Sequence, residues 1–147
     1  MDPMILFTYR KFQENLQMRN TIAGGLGQQI LKPCGIPHGA PPSMKFIALI
    51  MLPWLKTVKA KGATPRILAD NILTLASGKR HLPVFVDVLN FTHAYIGHMG
   101  SALAPEKNHL MTKDLAAQKW LTNHIWGHTG TRIAIVTNCR DVGAHIW

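Results

Sequence analysis

The sequence predicts an α+β fold in which an antiparallel sheet packs against helices. Several segments repeat apolar residues at helical spacing, and short apolar runs bounded by turn residues lie between them. The predicted order is helix, strand, helix, hairpin, helix, hairpin, helix and strands, which is typical of α+β proteins. With 147 residues, the chain corresponds to about one domain, residues 1–147.

The first predicted element is an amphipathic helix within residues 1–21. Asp2-Pro3 suits the start of a helix, and apolar residues at helical spacing extend it to about Arg19. Three closely spaced glycines end it, and Gln28 to Leu31 is predicted to form a short strand. The motifs that suggest a function lie in residues 22–147.

A second helix is predicted to begin after Ser43, which is a good N-cap residue. It should run to about Lys61 and stop at Gly62. Pro53 lies inside this helix and should kink it, because proline lacks the amide hydrogen of an i to i−4 bond. The first half of the helix is apolar on most faces and is therefore expected to be buried.

A β-hairpin and a third helix follow. The apolar runs 66–68 and 72–75 flank Ala69-Asp70-Asn71, and Asp-Asn supplies the turn chemistry of a hairpin. Apolar residues from Leu82 to Met99 then recur every three or four positions, which predicts a helix closed by Gly100.

The C-terminal third is predicted to hold a hairpin around residues 105–108 and a helix over residues 113–124. Residues 132–136 resemble a strand, and residues 142–146 are its expected partner.

The charge balance is strongly basic, with sixteen Lys and Arg against seven Asp and Glu, a formal charge of +9. Such an excess favours polyanionic partners, above all nucleic acid, although a solvated basic surface is the alternative. Cys34 and Cys139 form no metal-binding or secretory spacing. The longest apolar run, residues 46–55, is shorter than the roughly 20 residues of a membrane span. We therefore expect an intracellular protein, nuclear or cytoplasmic, that is neither secreted nor bound to a membrane.

A rigid loop rich in glycine and proline precedes the second helix. Its sequence is Gly35-Ile36-Pro37-His38-Gly39-Ala40-Pro41-Pro42-Ser43, and it leads to a helix N-terminus whose amide groups suit phosphate. A plain strand-to-helix connection is the alternative.

This loop resembles the reverse transcriptase segment G-[IVL]-P-Q-G-x-P-x-S, with His38 in place of the usual Gln. In that family the loop and the apolar helix after it lie under the template–primer and the incoming nucleotide. The resemblance implies template or nucleotide contacts for Gly35, Pro37, His38, Gly39 and Ser43.

Leu68-Ala69-Asp70-Asn71 resembles the [YFL]-A-D-D turn of the same family. That turn provides catalytic carboxylates for two Mg²⁺ ions about 3.5–4 Å apart. The resemblance assigns the catalytic and metal-binding position to Asp70, while Asn71 is a degenerate, neutral counterpart of the second carboxylate. Apart from Asp2, the only acidic residue before the loop is Glu14, on a predicted helix. We therefore expect Mg²⁺ binding that is weak or absent.

Two later segments extend the resemblance. Residues 99–107 are similar to the family's helix-Gly-x-x-[LIV]-x-P-x-K turn, which implies that Lys107 lies near nucleotide phosphates. Residues 140–144 are similar to the hairpin that grips the primer end, which implies that role for Val142 and Gly143.

The resemblance implies part of a polymerase palm domain of the non-LTR retrotransposon type, without fingers, first metal-binding strand or thumb. Its family activity is RNA-templated DNA synthesis by two-metal nucleotidyl transfer, with an RNA or DNA template–primer as partner. Because the carboxylate set is incomplete, we expect an inactive fragment, and whether the chain is an enzyme stays open. The alternatives are a non-catalytic basic domain that binds nucleic acid, and an unrelated small enzyme or interaction module.

Histidine and tryptophan residues offer further candidates. Eight histidines include the close pairs His93 with His98 and His124 with His128, but no HExxH motif occurs. A structural zinc site and ordinary surface positions are both open for them. Three tryptophans can either stack on bases or fill the core: Trp120, Trp126 and Trp147.

Overall fold

The structure, a computed structural model, describes residues 3–14, 17–22, 24–31, 43–68, 71–101, 103–141 and 144–146. The chain divides into two compact units, residues 1–46 and residues 47–147. The described residues form four α-helices and four two-stranded sheets, three of them antiparallel. This mixture of helix and sheet confirms the predicted α+β class.

The first unit contains helix α1, Pro3–Glu14, and a hairpin of β1, Gln17–Ile22, with β2, Gly25–Leu31. The prediction that the first helix continues to about Arg19 is wrong, because β1 has already begun. Gly24 has a φ of +81°, the left-handed conformation that a tight turn between strands requires. Pairing with β2 therefore overrides the helical spacing of the apolar residues.

Helix α2, Ser43–Ala60, begins and ends close to the predicted positions and contains Pro53. Gly62 follows it with a φ of +88°, as a helix stop requires. The Tyr95 hydroxyl donates a hydrogen bond to the Ile50 carbonyl, close to the turn that the proline interrupts. No helix in the described part of the chain is long and apolar enough to span a bilayer.

The predicted central hairpin and third helix are both present. Strand β3, Thr64–Leu68, pairs antiparallel with β4, Asn71–Leu75. Helix α3, His81–His98, follows, and Gly100 closes it with a φ of +72°.

The region after α3 differs from the prediction of a hairpin around residues 105–108. Pro105–Lys107 is a turn of 3₁₀ helix, and β5, His109–Leu110, pairs in parallel with β6, Ala134–Ile135. Between these strands lies α4, Leu115–Asn123, which supplies the crossover that a parallel pair needs. The hairpin prediction is wrong because it paired segments that are neighbours in sequence.

The last strands form a separate hairpin. Strand β7, Cys139–Asp141, pairs antiparallel with β8, Ala144–Ile146. The expected pairing of residues 132–136 with residues 142–146 is therefore wrong, since β6 pairs with β5 instead.

Helix α3 is the central element of the second unit because it contributes to two apolar clusters. In cluster 1 it packs with α2 and with Ile67 and Ile72, a cross-strand pair of the β3–β4 hairpin. In cluster 2 it packs with β5, α4 and β6. The fully or largely buried members of cluster 1 are Met51, Trp54, Val58, Ala63, Val88 and Ile96. Those of cluster 2 are Leu110, Leu121, Trp126 and Ile133.

One buried polar link joins α2 to α3. The Trp54 Nε1 donates a hydrogen bond of 3.0 Å to Thr92 Oγ1, which itself donates to the Val88 carbonyl at 2.8 Å. Trp54 is fully buried and Thr92 nearly so. The indole N–H therefore depends on the threonine hydroxyl, since water does not reach it.

We expect Thr92→Val to destabilise the protein by about 1–3 kcal/mol, because it leaves the indole N–H of Trp54 buried without a partner. Urea unfolding of both proteins measures this difference. Thr122→Val is the matched control. Thr122 makes the same bond to a carbonyl four residues earlier, but on an exposed part of α4. If the two substitutions cost the same, the buried link is not a stabilising contact.

Candidate functional site

The predicted metal turn lies at the end of the β3–β4 hairpin. Leu68, the last residue of β3, is the register partner of Asn71, the first residue of β4. Asn71 is exposed, as is usual for a residue beside the turn of a hairpin. The positions between them, Ala69 and Asp70, lie outside the described residues. The hairpin that carries the motif is thus confirmed, while the role of Asp70 stays a prediction.

The glycine- and proline-rich loop lies outside the described residues, including Gly35, Pro37, His38 and Gly39. Its last residue, Ser43, is the first residue of α2 and is buried. The predicted passage from this segment into a helix is therefore confirmed at Ser43, and the nucleotide contacts stay predictions.

The two later motifs fall on short elements. Lys107 ends the 3₁₀ turn, and its side chain is exposed with no ion pair to another described residue. Its cationic end is free to meet an anionic ligand. Val142 and Gly143 lie outside the described residues, between the paired Asp141 and Ala144. The hairpin predicted at that point is present.

Several carboxylates of the described residues are engaged far from the β3–β4 turn in sequence. Glu14 accepts hydrogen bonds from Lys11 and Arg10, and these bonds hold the pKa of its carboxyl below the usual value. Asp87 accepts a bond of 2.7 Å from Lys61. Asp114 caps the N-terminus of α4 by accepting from two backbone amides. Glu14 and Asp114 thus interact within or at the end of a helix, and Asp87 forms an ion pair with Lys61.

No donor set for a pair of magnesium ions converges among the described residues, which exclude Asp70. Two Mg²⁺ ions need several convergent carboxylate oxygens. Across the described ranges, no three His, Cys, Asp or Glu side chains converge as metal ligands. Glu14, the acid with the best place in sequence to act as the upstream ligand, lies on α1 and is bonded to two cations.

The histidines associate differently from the spacing that the sequence suggested. His93 on α3 is 3% exposed, and its ring lies edge-on to His128 at 6.4 Å between centroids. His98, its neighbour in sequence, instead bonds the Ala94 carbonyl. His93 and His128 line an open cleft of about 250 Å³ together with Ser101 and Thr129. Only the fold could reveal this pair, because 35 positions separate the two residues.

His93 is the most perturbed basic group of this cleft. Burial lowers the pKa of its imidazole, and the neighbouring His128 lowers it further. Its Nδ1 is buried without a hydrogen-bond partner among the described residues. A protonated His93 is therefore unfavourable in the folded protein.

The tryptophans also separate into two groups. Trp54 and Trp126 are fully buried in clusters 1 and 2, so of the two alternatives for Trp126, base stacking and core packing, core packing is confirmed. Trp120 on α4 remains 42% exposed, and Trp147 lies outside the described residues.

Comparison of the chain with protein-family models found no match, and neither a search of curated proteins nor a search of solved structures returned one. Function must therefore be argued from the residues and their arrangement.

We expect stability to fall as pH drops below about 6.5, the ordinary pKa of histidine. Below this pH His93 binds a proton in the unfolded chain but not in the folded protein, because its folded pKa is lowered. The free energy of unfolding is therefore largest above this pH and decreases as the pH falls towards the folded pKa. For one group the slope cannot exceed about 1.4 kcal/mol per pH unit. Unfolding in urea across pH 5 to 8 (roughly the histidine range) measures it.

His93→Gln should flatten this pH dependence. His98→Gln is the matched control, because His98 is exposed on the same helix and should leave the dependence unchanged. An equally steep decline in His93→Gln would contradict the assignment to His93.

Proposed function

We propose that the chain is a catalytically inactive part of a reverse transcriptase palm that retains affinity for nucleic acid. The observation that carries the proposal is the order α2, β3–β4 hairpin, α3, with Leu68-Ala69-Asp70-Asn71 at the hairpin end. The reverse transcriptase family, which the sequence resembles, carries its metal-binding Asp on such a turn. The register partnership of Leu68 and Asn71 leaves two intervening positions, the commonest loop length of a hairpin.

Packing of the hairpin against both helices supports this proposal. Ile67 and Ile72 face cluster 1, where residues of α2 and α3 also meet. A hairpin with one side packed on two helices is compatible with the antiparallel sheet backed by helices that the family resemblance implies. The partly buried Ile67 and Ile72 thus hold the two strands of the hairpin against the helices.

Inactivity follows from the chemistry of the available ligands. Asn71 offers a neutral amide oxygen where the family turn has a second carboxylate. Three of the described carboxylates, those of Glu14, Asp87 and Asp114, are already engaged by cations or a helix N-terminus. Asp70 with Asn71 is too small a ligand set for the paired Mg²⁺ ions that nucleotidyl transfer requires.

Retained affinity for nucleic acid is supported by exposed cations. The chain carries a formal charge of +9, and Lys79, Arg80 and Lys107 are exposed. None of these three has an ion-pair partner among the described residues, so each can contact phosphate. Each phosphate contact adds affinity that falls as salt rises.

A non-catalytic basic nucleic-acid-binding domain without polymerase ancestry is the second candidate. The observation that favours it is the engagement of Glu14, Asp87 and Asp114 in structural roles. Both candidates bind nucleic acid, and they differ in whether the α2–hairpin–α3 arrangement descends from a polymerase.

We expect no primer extension on an RNA template with either Mg²⁺ or Mn²⁺, because the metal ligands are incomplete. Gel analysis of extended primer measures it. The variant Asn71→Asp restores the second carboxylate of the turn but not the upstream ligand, so it should also remain inactive. Synthesis by the unaltered chain that Asp70→Ala abolishes would contradict the proposal.

The same preparation should bind a primer–template duplex, with affinity falling steeply from about 50 to 200 mM salt. Fluorescence anisotropy of a labelled duplex measures this. Lys107→Gln should lower the salt slope by about 0.9, the value of one lost contact to duplex phosphate. Lys59→Gln is the charge-matched control, since Lys59 is exposed in the last turn of α2, at the end of the helix away from the glycine- and proline-rich loop, and it should leave the slope unchanged. An absence of binding at the lowest salt would contradict retained affinity.

A further inference from the structure

Trp120 is the tryptophan that water reaches most among those described. Trp54 and Trp126 are fully buried, whereas Trp120 is 42% exposed on α4. An exposed indole offers a flat aromatic face to a ligand. The core does not account for this residue.

The indole of Trp120 is already stacked on one side. The ring of His124 lies almost parallel to it, with 4.3 Å between centroids and 21° between planes. The imidazole covers one face of the indole, and 42% of the residue is still exposed. The indole thus offers a flat ring surface of about the size of one nucleobase.

His124 connects this surface to the core. Its ring stands edge-on to the fully buried Trp126 at 4.6 Å between centroids and 84° between planes. The backbone amide of His124 donates to the Leu121 carbonyl at the C-terminus of α4. The indole of Trp120 is therefore backed by a ring that rests on cluster 2, which limits the ordering that a ligand must impose.

The surrounding chain is basic. Residues 107–136 contain Lys107, Lys113, Lys119 and Arg132 against a single acidic residue, Asp114. Asp114 accepts hydrogen bonds from the first amides of α4, and the positive end of the helix dipole partly offsets its charge. A ligand that combines a flat aromatic group with negative charge matches this neighbourhood.

We propose that Trp120, backed by His124, is a stacking platform for an unpaired base of single-stranded nucleic acid. The proposal rests on the affinity for nucleic acid in the proposed function, and it adds a residue that the motifs do not include. Base–aromatic stacking tolerates any sequence because every base has a flat face. The cations of residues 107–136 supply phosphate contacts, so the platform and the charges contribute separately.

The test compares two labelled ligands by fluorescence anisotropy. One is an oligothymidylate of about 12 nucleotides, and the other is an abasic strand of equal length that keeps the phosphates. We expect Trp120→Ala to weaken binding of the oligothymidylate at least about fivefold and to leave binding of the abasic strand unchanged. The salt slope should stay the same, because no phosphate contact is lost.

Two further variants make the result specific. Trp120→Phe keeps a flat ring and should lose less affinity than Trp120→Ala. Leu115→Ala, on the same helix and 80% exposed in the parent, should bind like the unaltered protein. Circular dichroism and the urea midpoint check that each variant is folded. If Trp120→Ala does not fold, Trp120→Phe takes its place in the comparison of the two strands.

Three results would overturn the proposal. Equal binding of the oligothymidylate by Trp120→Ala and the unaltered protein would exclude stacking while leaving the proposed function intact. An equal loss on both strands would show that the indole supports structure or another surface rather than a base. If the unaltered protein binds neither strand nor duplex, then the affinity for nucleic acid fails together with the platform.

Discussion

The second unit depends on the burial of α3 between two apolar clusters. One part of this helix packs with α2 and the β3–β4 hairpin, and another packs with α4 and the β5–β6 pair. A helix in this position must satisfy its polar side chains internally, since water is excluded on more than one side. Thr92 does so by linking the Trp54 indole to the Val88 carbonyl, whereas His93 leaves one ring nitrogen without a partner. The same helix therefore supports the second unit and carries a histidine whose protonation is unfavourable in the folded state.

This support determines what the motif-bearing hairpin can do. Ile67 and Ile72 attach the hairpin to cluster 1, so strands β3 and β4 are held on a packed scaffold. Catalytic groups need such rigid support, but they also need each other. The acids Glu14, Asp87 and Asp114 form contacts with cations or helix amides elsewhere. The hairpin is therefore packed on a scaffold, while no ligand set for two metals converges among the described residues.

Local sequence patterns were sufficient to predict the helix ends and the central hairpin, because residues close in sequence determine these features. Ser43, Gly62 and Gly100 mark helix ends correctly, and the Asp-Asn pair correctly marks the central hairpin. The β1–β2 hairpin and the parallel β5–β6 pair could not be predicted, because their partners are chosen by backbone pairing and by the α4 crossover. Likewise, the contact of His93 with His128 and the stack of Trp120 on His124 depend on packing rather than on spacing along the chain.

The central claim is that the β3–β4 turn has the position of a polymerase metal site without its capacity to hold two ions. Electron paramagnetic resonance of bound Mn²⁺ tests this most directly, since two ions about 3.5–4 Å apart couple magnetically. The account predicts at most weak, uncoupled binding that Asp70→Ala reduces. A tightly bound, spin-coupled pair of Mn²⁺ ions that is lost in Asp70→Ala would contradict it.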